Sequence, residues 1–240
     1  MIIKPNWPAP ANVFAASTTR QGGVSQAPFD TFNVAHHVGD SPDDVQKNRV
    51  ILRETLALPS EPLWLNQTHS NSVSTGGNCE ADAAYTREPN TPLVIMTADC
   101  LPILLCDTEG TEVAAIHAGW RGLAHGVIEN TLKHFSAKPE NILAWLGPAI
   151  GPSAFEVGQD VYDAFTQHDA QAAQNFTAKT PGKYHCDMYG LAKQRLSQLG
   201  VQHISGGDFC TYTDKRRFYS YRRDQRTGRM AHLICLNQTD

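Results

Sequence analysis

The chain has 240 residues, a formal net charge of −4, 41% hydrophobic and 18% charged residues, which argues for a folded globular protein and against disorder. No basic stripe stands out to hold a polyphosphate backbone, so nucleic acid is not expected as a partner, although local arginines leave room for a small anionic substrate. The N-terminus carries no apolar segment of signal-peptide length, and the longest apolar runs are too short for a bilayer, so no membrane partner and a cytoplasmic location are expected.

In chain order, 13–19 reads as an early strand that runs into Arg20-Gln21-Gly22-Gly23-Val24-Ser25, a turn-rich loop whose paired glycines suit positive φ. Asp40-Ser41-Pro42 supplies a helix start, and 43–58 carries Val45, Ile51, Leu52 and Leu56 at helical intervals. The short apolar 63–65 opens onto Asn66-Gln67-Thr68-His69-Ser70. A buried strand at 93–97 ends at Ala98-Asp99-Cys100, Pro102 bends the chain into a second apolar run at 103–106, and 113–117 is a third buried strand. The last leads through Ala118-Gly119-Trp120-Arg121-Gly122 into a helix expected over 123–135. A strand at 142–146, a Gly/Pro loop at 147–152, helices near 158–167 and 188–199, and a strand–turn–strand unit at 218–236 complete the reading. No linker or repeat divides the chain, so one domain over 1–240 is expected, and the irregular mixture of strands and helices favours α+β over a doubly wound sheet.

Six cysteines, at 79, 100, 106, 186, 210 and 235, form no C-x-x-C pair and no dense framework. Reduced and mostly buried thiols are the expected state for most of them. Three polar residues stand at the ends of apolar strands: His69, Cys100 and His117. Strand ends are where a rigid scaffold presents groups to a cleft, and two imidazoles with one thiolate suit Zn²⁺ while leaving a fourth position open. Spacing alone leaves the alternative of a buried thiol and two histidines satisfied by backbone hydrogen bonds.

The segments TRQGGVS, NQTHSNSV, TADCLPILL, AAIHAGWRGLAHG, LGPAIGPSAFEVG and FYSYRRDQRTGRMA together resemble the YfiH/laccase-domain family, in order and from about Thr18 to Leu236. The resemblance implies a four-layer α/β/β/α sandwich with mixed sheets. It also implies a catalytic metal on the histidine of the QTHS motif, the cysteine of ADC and the histidine of HAGWRG, here His69, Cys100 and His117. It implies purine nucleoside chemistry: phosphorolysis of adenosine, inosine, guanosine or methylthioadenosine, and deamination of adenosine. One departure is Lys193, which stands where family members often have asparagine.

Around the three residues, Gln67 and Asp99 are candidates to orient a ligand or touch substrate, with turn capping as the alternative. Arg121 and Arg20 are candidates for phosphate, against the ordinary fate of a surface ion pair. Arg222 and Arg223 read as a structural charge cluster, and Trp120 and Phe218 as core residues before they read as purine-stacking ones. His125 and Asp99 lie nearest along the chain for a general acid. Two other functions remain open: copper-dependent polyphenol oxidation, weakened by the lack of any H-x-H pair, and an amidase acting on a cell-wall precursor through the metal or through Cys100 as nucleophile. On this reading a copper ion would be adventitious. Nothing in the sequence specifies a protein partner.

Overall fold

The computed structural model describes residues 2–76 and 80–238. Strands β1 (Ile2–Ile3) and β2 (Val13–Thr18) precede helix α1 (Pro42–Thr55), and β3 (Leu63–Trp64) through β8 (Val113–Ala118) form the strand-dense middle: β4 (Val73–Ser74), β5 (Ala83–Thr86), β6 (Leu93–Thr97) and β7 (Leu101–Asp107) lie between. Helices α2 (Trp120–Ala124) and α3 (Val127–Leu132), strands β9 (Ile142–Leu146) and β10 (Glu156–Gly158) and helix α4 (Gln159–Thr166) follow. The chain closes with β11 (Phe176–Thr180), β12 (Lys183–Cys186), α5 (Met188–Gln198), β13 (His203–Gly206), α6 (Tyr221–Asp224) and β14 (Met230–Leu236).

Two large sheets carry the architecture. One has the order β1-β2-β14-β6-β3, the other β13-β9-β7-β8-β5-β4, and each is mixed: β3 runs parallel to β6, β4 to β5 and β13 to β9. Their layering follows from side-chain alternation along the strands. In β7, Leu101, Ile103 and Leu105 pack under the helices while Leu104 and Cys106 face the other sheet. In β14, Ala231 and Leu233 pack with Leu52 of α1, while Ile234 and Leu236 join Leu104 and Val113 between the sheets. The layers are therefore α1, the first sheet, the second sheet, and α2 to α5. The fold is the expected α+β sandwich. Because β6 to β9 are buried on both faces, they read as continuous apolar runs rather than alternating ones.

The α1 start is as expected: Pro42 occupies the first turn and Ser41 caps it by accepting from the Asp44 amide. Two expectations are corrected. The helix over 123–135 is two helices, broken at Gly126 in the left-handed region (φ 86°). Residues 218–220 form no strand; Ser220 instead caps α6 by accepting from the Arg223 amide. A third sheet, β10-β12-β11, was not anticipated, since its outer strand β11 is mostly solvent-exposed and has no apolar pattern. Cys100, Cys106, Cys186, Cys210 and Cys235 are free thiols, the second, third and fifth buried; Cys79 lies outside the described residues.

Candidate metal centre

The three candidate ligands meet at one end of the layer between the sheets. His117 is the fifth residue of β8 and projects to the same face as Val113 and Ala115, which belong to the inter-sheet core. Cys100 sits in the turn between β6 and β7. His69 lies in the loop after β3, at the mouth, and is exposed while Cys100 is half-buried and His117 buried. Their ligand atoms all lie within 4.8 Å of one another, and Cys100 Sγ is 3.7 Å from His69 Nε2. Zinc–nitrogen and zinc–sulfur bonds of ordinary length at a tetrahedral angle place such atoms about 3.6 Å apart, so the residues fit a metal ion.

Asp82, just before β5, organises this cluster. Its carboxylate is fully buried and accepts from the backbone amides of Thr68 (3.2 Å), His69 (3.0 Å) and Ser70 (2.5 Å) and from the Ser70 hydroxyl (2.7 Å). It also accepts a hydrogen bond from Nδ1–H of His117 at 2.7 Å, which leaves Nε2 of His117 free for a metal. Three successive amides converging on one carboxylate hold His69 in the left-handed region, at φ 62°, a conformation that a non-glycine residue keeps only when its surroundings impose it. Burial alone would raise the Asp82 pKa, but the hydrogen bonds from His117 and Ser70 outweigh it and bring it down to about 2. In the same way burial would raise the Cys100 thiol, and the charge of His117 with hydrogen bonds from both histidines lowers it instead. His117 is raised in turn, against its burial, by Cys100 and Asp82.

The glycines of HAGWRG are explained by contact. A Cβ on Gly119 would lie 2.6 Å from His69 Cδ2 and 3.4 Å from Cys100 Sγ, and one on Gly122 would lie 2.6 Å from the Ser70 carbonyl. The helix layer thus closes directly over the ligand loop.

Two cavities share the wall formed by His69, Ala98, Cys100 and Tyr221. The larger, about 370 Å³, is bounded by His37, Gln67, Thr97, His117 and Arg229. The smaller, about 190 Å³, is bounded by Asp99, Trp120, Arg121, Ile150, Phe155, Met188 and Arg222. In the smaller one, the Arg121 guanidinium lies 4.4 Å from the Trp120 ring and that of Arg222 lies 5.2 Å from the Phe155 ring. Tyr221, 52% exposed, stands between the two.

The other sequence candidates divide. Arg121 is exposed and lines the smaller cavity. Asp99 lines it too, but its carboxylate accepts from the Thr211 hydroxyl (2.6 Å), the Ser220 hydroxyl (3.0 Å) and the Arg222 amide (2.7 Å), tying the segment that carries Tyr221 to the Cys100 turn. Gln67 lines the larger cavity, its amide exchanging two hydrogen bonds with the backbone of Met96. Arg20 is not brought to the centre: it pairs with Asp30, donates to the Lys215 carbonyl and borders a separate surface cavity. Its neighbour Gly23 is glycine because a Cβ there would meet Asn48 Oδ1 at 2.3 Å and the Thr31 carbonyl at 2.4 Å, a packing requirement rather than an anion cradle. His125 borders neither cavity at the centre. Phe218 is core, as expected, whereas Trp120 is half-buried in the cavity wall. Arg223 pairs with Asp224 as a structural cluster would, but Arg222 faces the smaller cavity. Lys193 is exposed on α5, outside both cavities. Asp82, His37, Tyr221 and Arg229 were not singled out from sequence; the signal for Asp82 was a lone acid entering the apolar run Ala83-Ala84-Tyr85.

A family described as multi-copper polyphenol oxidoreductase laccase matches residues 14–237. The chain is 53% identical, over 97% of its length and 98% of the relative's, to a Haemophilus influenzae protein named purine nucleoside phosphorylase. It is equally 53% identical to the Escherichia coli purine nucleoside phosphorylase YfiH over 98% of both chains. This chain belongs to the YfiH laccase-domain family. Among solved structures, a Neisseria meningitidis protein superposes with a TM-score of 0.95 at 47% identity over 99% of each chain. YlmD from Geobacillus stearothermophilus superposes at 0.88 with 31% identity over 95% of this chain and 93% of that one. The fold expected of a YfiH-family member is therefore the one observed. No helix among the described residues is long and apolar enough to cross a membrane.

Proposed function

We propose that this YfiH-family chain is a zinc-dependent purine nucleoside phosphorylase of the cytoplasm, with the metal on His69, Cys100 and His117. The observation that carries the reading is that His69 and Cys100 stand in a wall common to two cavities, with His117 beside them on the larger one, which suits a reaction between two substrates. The naming of relatives 53% identical as purine nucleoside phosphorylases supports nucleoside and phosphate as those substrates. Two imidazoles and a thiolate are a donor set that suits zinc, and copper at such a site is adventitious in this reading.

When bound, zinc supplies a concentrated positive charge that stabilises negative charge developing in the transition state. The protein's own groups do the rest. Asp82 keeps the His117 proton on Nδ1. Arg121 and Arg222 offer guanidinium groups to phosphate in the smaller cavity, leaving the larger one to the nucleoside. A phosphate oxygen forms a bond to C1′, the C1′–N9 bond breaks, and its electron pair leaves with the purine. The proton lost by hydrogen phosphate balances the one the purine gains. Adenosine, inosine, guanosine and methylthioadenosine are the expected substrates. With water in place of phosphate, the same centre is expected to release ammonia from C6 of adenosine, giving inosine.

The test is chromatography of products from zinc-loaded protein and adenosine, with and without phosphate, beside a chelated control. Adenine with ribose 1-phosphate, or inosine, lost on chelation, is the expected result; no product from any purine nucleoside would remove the reading. Arg121→Ala is expected to raise the KM for phosphate about tenfold and to affect deamination less, and equal losses in both reactions would count against a phosphate role.

A second reading is favoured by the line Asp82–His117–Cys100, which has the order of acid, base and thiol in a cysteine hydrolase acting on an amide. Chelation separates the two, since a thiol nucleophile survives it.

A further inference from the structure

One buried histidine takes no part in the centre described above. His232 of β14 is fully buried, on the face of its strand that also carries Ile234 and Leu236 into the inter-sheet core. Ser17 of β2 lies directly across from it, and Thr97 of β6 lies diagonally, opposite Met230. Alternation brings all three side chains to one face. His232 Nδ1 is 2.6 Å from Ser17 Oγ and Nε2 is 2.8 Å from Thr97 Oγ1. Burial, and after it the nearby charge of His117, push the His232 pKa down to about 3, so the ring is neutral at physiological pH. Thr97 borders the larger cavity.

A neutral imidazole carries one N–H and one lone pair, and a hydroxyl both donates and accepts. The chain of three groups therefore has two complete arrangements. With the proton on Nδ1, the ring donates to Ser17 and accepts from the Thr97 hydroxyl, so Thr97 has only an acceptor left to offer. With the proton on Nε2, the ring donates to Thr97 and accepts from Ser17, and the Thr97 hydroxyl is free to donate. Passing between them moves one ring proton and turns two hydroxyls, with no change of charge and no displacement of the backbone.

We propose that Ser17, His232 and Thr97 give the larger cavity a hydrogen-bonding group of reversible polarity, with which Thr97 accepts from a 6-amino purine and donates to a 6-oxo purine. The inference rests on the nucleoside reading of the site. Thr97 is a specificity-determining residue and His232 a positioning residue that acts through it. A wall of fixed polarity would separate the two purine classes by about ten- to hundredfold, because the mismatched base leaves a buried group unpaired. A wall that reverses accepts both.

The test uses the full chain supplied with Zn²⁺, labelled with ¹⁵N at histidine, in phosphate-free buffer at neutral pH. Long-range ¹H–¹⁵N spectra are recorded alone, with adenine and with hypoxanthine, and chromatography checks that adenine stays intact. The His232 signals are those lost in His232→Gln. The expected result is a neutral ring with its proton on Nδ1 beside adenine and on Nε2 beside hypoxanthine. One and the same tautomer with both bases overturns the proposal and leaves the phosphorylase reading standing. Binding of neither base at millimolar concentration also overturns it, and phosphorolysis measured after phosphate and adenosine are added to the same protein then tells whether the nucleoside reading falls with it. Thr97→Val is expected to weaken binding of both bases about two- to tenfold, and Thr97→Ser to restore it; a loss confined to one base would mean fixed polarity and would overturn the proposal.

Discussion

Asp82 and Asp99 are two buried carboxylates beside the same cluster, and they hold it together in different ways. Asp82 is surrounded mainly by N–H groups, three from the backbone and one from His117. Asp99 is surrounded mainly by hydroxyls, those of Thr211 and Ser220, with a single amide from Arg222. An N–H can only donate, whereas a hydroxyl can turn and accept. Asp82 therefore locks its surroundings into one charge state, and Asp99 sits where a neutral amide can be accommodated. The first fixes two of the three candidate ligands; the second fixes the wall that carries Tyr221.

Replacing the third candidate ligand sets the upper limit for any effect. Cys100→Ala is expected to abolish tight zinc binding and turnover together with the fold nearly intact; full turnover, measured alongside metal content, would sink the metal-site model. Asp82→Asn comes next. Its amide would point N–H at N–H in either orientation, so metal affinity should fall about 10- to 100-fold. Urea unfolding at neutral pH should show a loss of about 3 kcal/mol.

The acid limb of the stability curve sharpens the contrast. Because the folded pKa of Asp82 is depressed from 3.8 to about 2, its contribution is fully present above the unfolded value and disappears as pH falls through that window. The amount is about 2 kcal/mol, so the stability of the native sequence should drop more steeply there than that of Asp82→Asn. Parallel curves would mean that the carboxylate is not held as described. The smallest effect is expected for Asp99→Asn, where Thr211 can turn to accept from the new amide and asparagine tolerates the left-handed φ of 88°. Stability should change by about 1 kcal/mol or less, with metal affinity retained. A larger effect than that of Asp82→Asn would reverse the comparison.

The strands that carry the centre were legible because β6 to β9 are enclosed on both faces and announce themselves as apolar runs. Polar residues at their ends then stood out, and Cys100 and His117 became candidates in that way, with family resemblance turning a weak pattern into a specific expectation. Contacts made across the sheets were not legible. Asp82 acts on residues 68–70 and 117, and no local spacing reports that. Arg20 misled because an arginine beside paired glycines looks like an anion loop, whereas the glycine at 23 answers to Asn48 and Thr31. The 123–135 helix misled because nothing in its apolar spacing reveals the left-handed turn at Gly126. Arg229 and His37 come from distant segments that only the folded chain sets on one cavity.

The wall shared by the two cavities has a consequence for inhibition. Two weak ligands, one for each compartment, would face each other across Tyr221, His69 and Cys100. Joined by a short linker, they would lose rotational and translational freedom once instead of twice, and the second half would bind at the high local concentration set by the tether. Neither compartment alone offers that advantage, so selectivity for this architecture would reside in the length of the linker rather than in either half.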